Sequence, residues 1–203
     1  MKLFYASGSP YARIARVVLR ETGLDRTVEE VEVTLRDPHS SLLPFNPGGK
    51  VPTLQLDDGT FLNESLLVLL YLDGRHGGRK LLPMDGSDAW LTLSRVGAAI
   101  AFLDGISVWN RELRFGLGAP GMIAAETARA NRVADTLERE VDAGAYTGPI
   151  DAAQIVLGAA LENAARRHKV WDWCSLHPRL SAFLDEIARR PSFVATVQPA
   201  LNL

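Results

Sequence analysis

Two pairs of neighbouring residues, Val51-Pro52 and Glu64-Ser65, have the types and spacing to hold a small peptide-like ligand. Proline has no backbone N–H, so it belongs at the first residue of a strand or on a sheet edge. Such a proline is a candidate for a cis peptide bond, which would turn the N–H and C=O of Val51 outward. Those two groups would then pair with an extended ligand by strand addition.

Glu64 and Ser65 offer the complementary chemistry for the charged end of an amino acid. The Glu64 carboxylate can accept hydrogen bonds from an ammonium group. Ser65 is predicted at the start of a helix, where a hydroxyl and free backbone N–H groups attract a carboxylate. Taken singly, Ser65 is equally well explained as a helix cap and Pro52 as an edge-strand proline. The ordered combination of both pairs favours a binding site.

The segment around these pairs predicts the elements that position them. Residues 45–50, Phe-Asn-Pro-Gly-Gly-Lys, form a predicted turn that leads into a short apolar strand after Pro52. Asp58-Gly59 predicts a two-residue hairpin reversal, and Phe61 begins the returning strand. An apolar helix follows over residues 66–72, so both pairs are expected at the ends of neighbouring elements.

The order Asn-Pro-x-Gly-Lys-Val-Pro-x-Leu, then a hairpin, then Glu-Ser, resembles the glutathione-binding half of the glutathione S-transferase family. The resemblance extends over essentially the whole chain and is strongest before residue 75. It implies that Val51, before Pro52, pairs with the cysteinyl backbone of glutathione and that Glu64 and Ser65 hold its γ-glutamyl end. Lys50 is a further candidate contact to a glutathione carboxylate, with a solvated turn lysine as the alternative.

The family activates the glutathione thiol with a hydroxyl or thiol near the end of the first strand, and Ser9 and Tyr5 are the main candidates here. Ser7 lies between them and matches the family less well. Residues 9–12, Ser-Pro-Tyr-Ala, resemble the Cys-Pro-Phe-Ala start of the omega class, and Ser9 also falls on the serine of the theta and zeta classes. Tyr5 occupies the place used by the tyrosine-type classes. A helix N-terminus and a hydroxyl donor stabilise a thiolate and lower the thiol pKa. The alternatives are that Ser9 only caps its helix and Tyr5 only packs.

The chain divides into a mixed first part and a helical second part. Residues 1–75 read strand-helix-strand and then strand-strand-helix, a thioredoxin-like order. The predicted fold class is therefore α+β: an N-terminal thioredoxin-like domain (1–75), a linker rich in glycine and charge (76–86), and an all-α C-terminal domain (87–203). The other predicted strands cover residues 2–5 and 28–34. The other predicted helices cover residues 10–21, 87–115, 122–141, 152–167 and 177–190, with a break at 116–121.

Composition narrows the function classes. The net charge of −2 gives no basic surface for nucleic acid, and no apolar run approaches the roughly 18 residues of a membrane span. The one cysteine excludes an internal disulfide, and the four scattered histidines make no metal constellation. No apolar leader follows Met1. We therefore expect a cytoplasmic protein without a metal, a nucleic-acid partner or a membrane contact.

The predicted function is a glutathione transferase with glutathione as co-substrate, which activates the thiol for attack on an electrophilic small molecule in detoxification. The resemblance also implies a homodimer. Two alternatives remain open. One is a glutathione-dependent isomerase of the zeta kind, of whose signature only the first serine is matched. The other is a non-catalytic relative that keeps the fold as a binding or regulatory module.

Overall fold

The computed structural model describes residues 1–115, 119–168 and 170–199, which form two compact units. Unit 1 contains Met1–Leu82 together with Arg190–Pro199, and unit 2 contains the described residues of Pro83–Arg189. Unit 1 is a mixed sheet with helices, and the described part of unit 2 is entirely helical. The predicted fold class, a thioredoxin-like domain followed by a helical domain, is confirmed.

Unit 1 is built on a four-stranded sheet with the order β2-β1-β3-β4. β1 pairs in parallel with β2 and antiparallel with β3, and β3 pairs antiparallel with β4. A parallel strand-helix-strand unit is thus followed by an antiparallel hairpin and a helix. The elements of its first segment are β1 (Lys2–Tyr5), α1 (Pro10–Thr22), a 3₁₀ turn (Leu24–Arg26), β2 (Glu29–Glu32), β3 (Thr53–Gln55), β4 (Phe61–Asn63) and α2 (Ser65–Gly74).

Helix α1 begins and ends at residues that local chemistry favours. The Ser9 hydroxyl oxygen accepts a hydrogen bond of 3.2 Å from the N–H of Ala12, and Pro10 stands in the first turn, where its missing N–H costs nothing. Gly23 ends the helix with φ of 72°, a left-handed conformation that glycine adopts without strain. The apolar face of α1 is buried in unit 1, together with Leu3 of β1 and Leu54 of β3.

Two local predictions in unit 1 differ from the structure. β2 has four residues rather than seven, and before its start the N–H of Val28 bonds to the Leu24 carbonyl in the 3₁₀ turn instead of to a strand. The hairpin loop has three residues, not two: the N–H of Leu56 donates to the C=O of Thr60 at 2.8 Å. Gly59, with φ of 86°, is the left-handed residue that closes this longer loop.

Unit 2 is organised around α5 (Ala152–Arg167), whose residues are buried along almost its whole length. Asp151 and Gln154 form a capping box at its start. The short helix α6 was not predicted, α7 ends three residues before the predicted limit, and residues 116–118 of the predicted break lie outside the described residues. The helices of unit 2 are α3 (Ala89–Phe115), α4 (Pro120–Asp142), α5 (Ala152–Arg167), α6 (Trp173–Leu176) and α7 (Pro178–Ile187); α8 (Pro191–Val194) belongs to unit 1.

No apolar run of membrane-spanning length was expected from the sequence. Among the described residues, however, one helix, α3, is long and apolar enough to pass a test for membrane spans that uses length and composition alone. Core helices pass the same test, and α3 has core contacts. The His168 ring donates from Nε2 to the Ile106 carbonyl at 2.7 Å, and the Phe102 ring packs edge-on against Trp171. We therefore describe α3 as a core helix of unit 2.

Candidate functional site

The strand register brings the predicted site residues to one end of the sheet. Thr53 pairs with Asn63, so Pro52 and Glu64 are the next positions beyond the ladder on β3 and β4. Thr53 also pairs with Phe4, which places Tyr5, the last residue of β1, level with Pro52. The end of β1, the start of β3 and the end of β4 therefore meet at the same end of the sheet.

Val51 combines a buried side chain with an unused backbone. The Val51-Pro52 bond is cis, as predicted. The valine side chain packs in an apolar cluster with Phe4, Ala12 and Leu42. Within the part of the chain that the structure describes, neither the N–H nor the C=O of Val51 bonds to another protein group. Buried backbone groups are nearly always paired, so this donor and acceptor are available to an extended ligand.

Asn46 fixes the turn that carries Lys50 and Val51. Its buried side-chain amide donates from Nδ2 to the Lys50 carbonyl and to the Thr53 hydroxyl, both at 3.0 Å. Its Oδ1 accepts from the N–H of Gly48, also at 3.0 Å. Lys50 contributes its carbonyl to this network and leaves its side chain exposed. Asn46 was not among the predicted site residues, although asparagine before Pro-Gly is a recognisable turn signal.

Glu64 and Ser65 lie at the start of α2 in an unusual backbone conformation. Glu64 has φ of 71° and ψ of 128°, which a non-glycine residue adopts only under strain from its surroundings. Ser65 is the first residue of the helix rather than its N-cap, and the N-cap residue Glu64 makes no capping hydrogen bond with its side chain. Its first-turn N–H groups have no partner within the helix, which makes this terminus attractive to an anion. The Glu64 side chain is exposed, and Ser65 is buried.

Ser9 and Tyr5 differ in how far their hydroxyls are already engaged. The Ser9 oxygen accepts from Ala12, which leaves its own hydrogen free to donate at the N-terminus of α1. The Tyr5 ring lies under the guanidinium of Arg16, 4.1 Å from its centroid. Burial raises the pKa of the Tyr5 phenol, against the opposing charge of Arg16 and with the support of Glu32.

Glu32, at the end of β2, holds the loop that precedes Ser9. One of its carboxylate oxygens accepts from the backbone N–H of Ser7 at 3.1 Å. Hydrogen bonds from the Ser7 side chain and backbone hold the pKa of Glu32 below its usual range, and the Tyr5 hydroxyl adds a smaller effect. Glu32 was not predicted as a site residue, because nothing in a charged strand residue indicates a contact with a loop 25 residues away.

The described residues contain no group of three or more His, Cys, Asp and Glu side chains arranged to hold a metal ion. The site therefore consists of backbone groups, hydroxyls, one carboxylate and two helix N-termini. Such a set can bind a zwitterionic peptide and stabilise a negative charge near Ser9.

Comparisons with known proteins place the chain beside members of one family. The sequence profile "Glutathione S-transferase, N-terminal domain" matches residues 3–80. A glutathione transferase family member from Pseudomonas fluorescens Pf-5, solved with bound glutathione, is 33% identical with a TM-score of 0.90, and the match covers 98% of this chain and 99% of that one. A glutathione S-transferase from Methylobacillus flagellatus KT, also with glutathione bound, is 28% identical with a TM-score of 0.88, over 98% and 99% of the two chains. The uncharacterized GST-like protein YibF of Escherichia coli K12 is 26% identical over 98% of this chain and 99% of its own length.

Proposed function

Because the chain belongs to the glutathione S-transferase family, we propose that it is a glutathione transferase that activates the glutathione thiol for attack on an electrophilic small molecule. One observation carries the proposal. The unpaired backbone of Val51 lies at the same sheet end as the Glu64 carboxylate and the uncapped N-terminus of α2. This combination matches a peptide with one free amino-acid end.

Each part of glutathione finds a complementary group in unit 1. The Val51 N–H and C=O pair with the backbone of the cysteinyl residue, as an added strand would. The γ-glutamyl ammonium donates to Glu64, and the γ-glutamyl carboxylate accepts from the Ser65 hydroxyl and the first N–H groups of α2. The exposed Lys50 ammonium meets a glutathione carboxylate at the rim of the site.

Ser9 is the proposed donor to the thiolate. A free thiol has a pKa of about 8.5, so a small fraction is ionised at neutral pH. A hydrogen bond to a charged group contributes about 1.5–3 kcal/mol, which lowers the thiol pKa by about one to two pH units. The N-terminus of α1 favours the same negative charge. Tyr5 is the weaker candidate, because burial raises the pKa of its phenol and so makes it a poorer hydrogen-bond donor to a thiolate.

The reaction follows from the stabilised thiolate. The thiol proton leaves to water, and a sulfur lone pair forms the new S–C bond at the electrophilic carbon. The displaced group, or a proton taken up by the adduct, completes the balance. We also propose that the protein acts in the cytoplasm in detoxification, as a homodimer, which light scattering would show as a mass twice that of one chain.

Retention on immobilised glutathione, followed by turnover of an electrophile panel, tests the proposal. We expect retention that free glutathione reverses, and turnover of at least one electrophile. Retention without turnover of any electrophile would favour the non-catalytic binding module. If the resin does not retain the chain, and circular dichroism shows that the chain is folded, the proposal is overturned.

A further inference from the structure

The segment Arg190–Pro199, here called the C-terminal segment, packs in unit 1 although the described residues of unit 2 precede it in the chain. Its first anchor is Glu21 of α1, which accepts from Arg190 at 2.9 Å and 2.8 Å and from the Ser192 hydroxyl. This anchor lies at the end of α1 that is remote from Ser9.

The second anchor is Arg13, in the first turn of α1. Its side chain is 2% exposed and donates from Nη2 to the Phe193 carbonyl at 3.1 Å and from Nε to the Thr196 hydroxyl at 3.4 Å. Its guanidinium also lies over the Phe193 ring, 5.1 Å from the centroid. The backbone N–H of Arg13 in turn bonds to the carbonyl of Ser9 at 3.0 Å. The second anchor therefore lies nearer than the first to the N-terminal end of α1, which Ser9 caps.

The third anchor reaches the loop that carries Ser9. The side-chain amide of Gln198 donates from Nε2 to the backbone carbonyl of Gly8 at 3.1 Å. Gln198 is 1% exposed, and its buried Oε1 has no hydrogen-bond partner among the described residues. A buried amide with one unsatisfied oxygen carries a desolvation penalty that an apolar side chain of the same size would not. Stability alone therefore does not account for glutamine at this position.

Residues 6–9, here called the reactive loop, form a turn closed by the Ser9 N–H and the Ala6 carbonyl at 2.9 Å. Its two central residues are held from outside the turn. Glu32 accepts from the N–H of Ser7, and Gln198 donates to the C=O of Gly8. The peptide units that lead to Ser9 are therefore fixed by one residue from β2 and one from the far end of the chain.

We propose that Gln198 is a positioning residue, which orders the reactive loop and thereby aims the Ser9 hydroxyl at the bound thiolate. The ordering of the loop stands on the contacts above, and its consequence for catalysis rests on the proposed function. Catalysis is sensitive to displacements of about 1 Å, so a loosened loop lowers turnover without removing any group that touches glutathione.

The test compares Gln198→Met with Val197→Ala in the full chain. Methionine keeps the length and volume of glutamine but cannot donate to Gly8, whereas Val197 is an exposed neighbour. Hydrogen exchange of the peptide spanning residues 6–13 is measured without ligand. We expect exchange at least about tenfold faster in Gln198→Met and unchanged in Val197→Ala, with no fall in the thermal midpoint of Gln198→Met.

The catalytic readouts are kcat, the KM for glutathione and the pKa of the bound thiol from thiolate absorbance. We expect Gln198→Met to lower kcat about ten- to a hundredfold at neutral pH, with partial recovery at alkaline pH and an unchanged KM. Unchanged exchange in Gln198→Met would overturn the proposal, and so would faster exchange with an unshifted thiol pKa. A wild-type chain that binds no glutathione is instead a failure of the proposed function, and the exchange comparison then decides the role of Gln198 by itself.

Discussion

Arg190 and Glu21 form a two-point ion pair across 169 residues of the chain, with Nε 2.9 Å from Oε1 and Nη2 2.8 Å from Oε2. The Ser192 hydroxyl donates to the same carboxylate. Burial by itself would raise the pKa of Glu21, but the hydrogen bonds from Arg190 and Ser192 bring that pKa below its usual range. The charge of Glu21 therefore contributes to holding the C-terminal segment in unit 1.

We expect Glu21→Ala to destabilise unit 1 in a pH-dependent way. The folded-state pKa of Glu21 lies below its unfolded value, so the contribution is complete above the unfolded pKa and is lost as pH falls through the folded pKa. Arg190 is partly exposed, and we expect a loss of about 1 kcal/mol at neutral pH. Unfolding free energies of both proteins are measured from about pH 7 to about pH 3.

The difference in unfolding free energy between the wild type and Glu21→Ala is expected to decrease as the pH falls. Glu29→Ala is the control, since Glu29 is an exposed glutamate whose ion pair with Lys2 is also exposed. A difference that stays constant or widens as the pH falls would show that the Glu21 charge does not hold the segment.

Ser9→Ala should raise the pKa of the bound glutathione thiol by about one to two pH units, while the affinity for glutathione changes little. The same change removes the cap of α1 and costs about 1 kcal/mol of stability. Asp151→Ala is therefore the matched control, because it removes the cap of α5 in unit 2 and should leave the thiol pKa unchanged. Ultraviolet titration of thiolate absorbance measures the pKa in each complex.

Tyr5→Phe removes the rival hydroxyl and keeps the ring beside Arg16. We expect its thiol pKa to match that of the wild type. An unshifted pKa in Ser9→Ala beside a raised one in Tyr5→Phe would assign the thiolate contact to Tyr5. If neither variant shifts the pKa, the N–H groups at the start of α1 are the remaining donors.

Two substitutions of Glu64 should weaken glutathione binding alike but differ in their effect on stability. Glu64→Gly removes the carboxylate but tolerates the φ of 71° that strains other residues, whereas Glu64→Ala keeps the strain. Both variants should lose about 1.5–3 kcal/mol of glutathione binding, measured by calorimetry. Glu64→Gly should be more stable than Glu64→Ala by about 1 kcal/mol. Dissociation constants equal to that of the wild type would remove Glu64 from the binding site.

Asn46→Ala should lower the unfolding free energy of unit 1 far more than the substitution of an exposed asparagine does. It removes the amide bonds to the Lys50 carbonyl and the Thr53 hydroxyl and the acceptor for Gly48, and we expect a loss of about 2–4 kcal/mol by denaturant unfolding. Asn63→Ala, in β4, loses one part-buried hydrogen bond, which its Oδ1 accepts from the Thr53 hydroxyl, and should cost about 1 kcal/mol. Equal losses in the two variants would contradict the assignment of Asn46 as the residue that fixes the turn.

Much of the local structure followed from residues within four positions of one another. Ser9, Pro10 and Gly23 mark the limits of α1, and Asp151 with Gln154 marks the start of α5, because caps are made by side chains and backbone groups that adjoin in sequence. The ordered motif from Asn46 to Ser65 was recognisable for the same reason, since its turn, strand and hairpin are contiguous.

The sequence therefore determined which elements form in unit 1 and which short motifs lie at their ends. Tertiary structure decided what holds those motifs in place. The Ser7 contact comes from Glu32 on a neighbouring strand, and the Gly8 contact comes from Gln198, 190 residues away. A glutamine or glutamate has the same local preferences in any of these surroundings, so only the packing of distant segments gives it a partner.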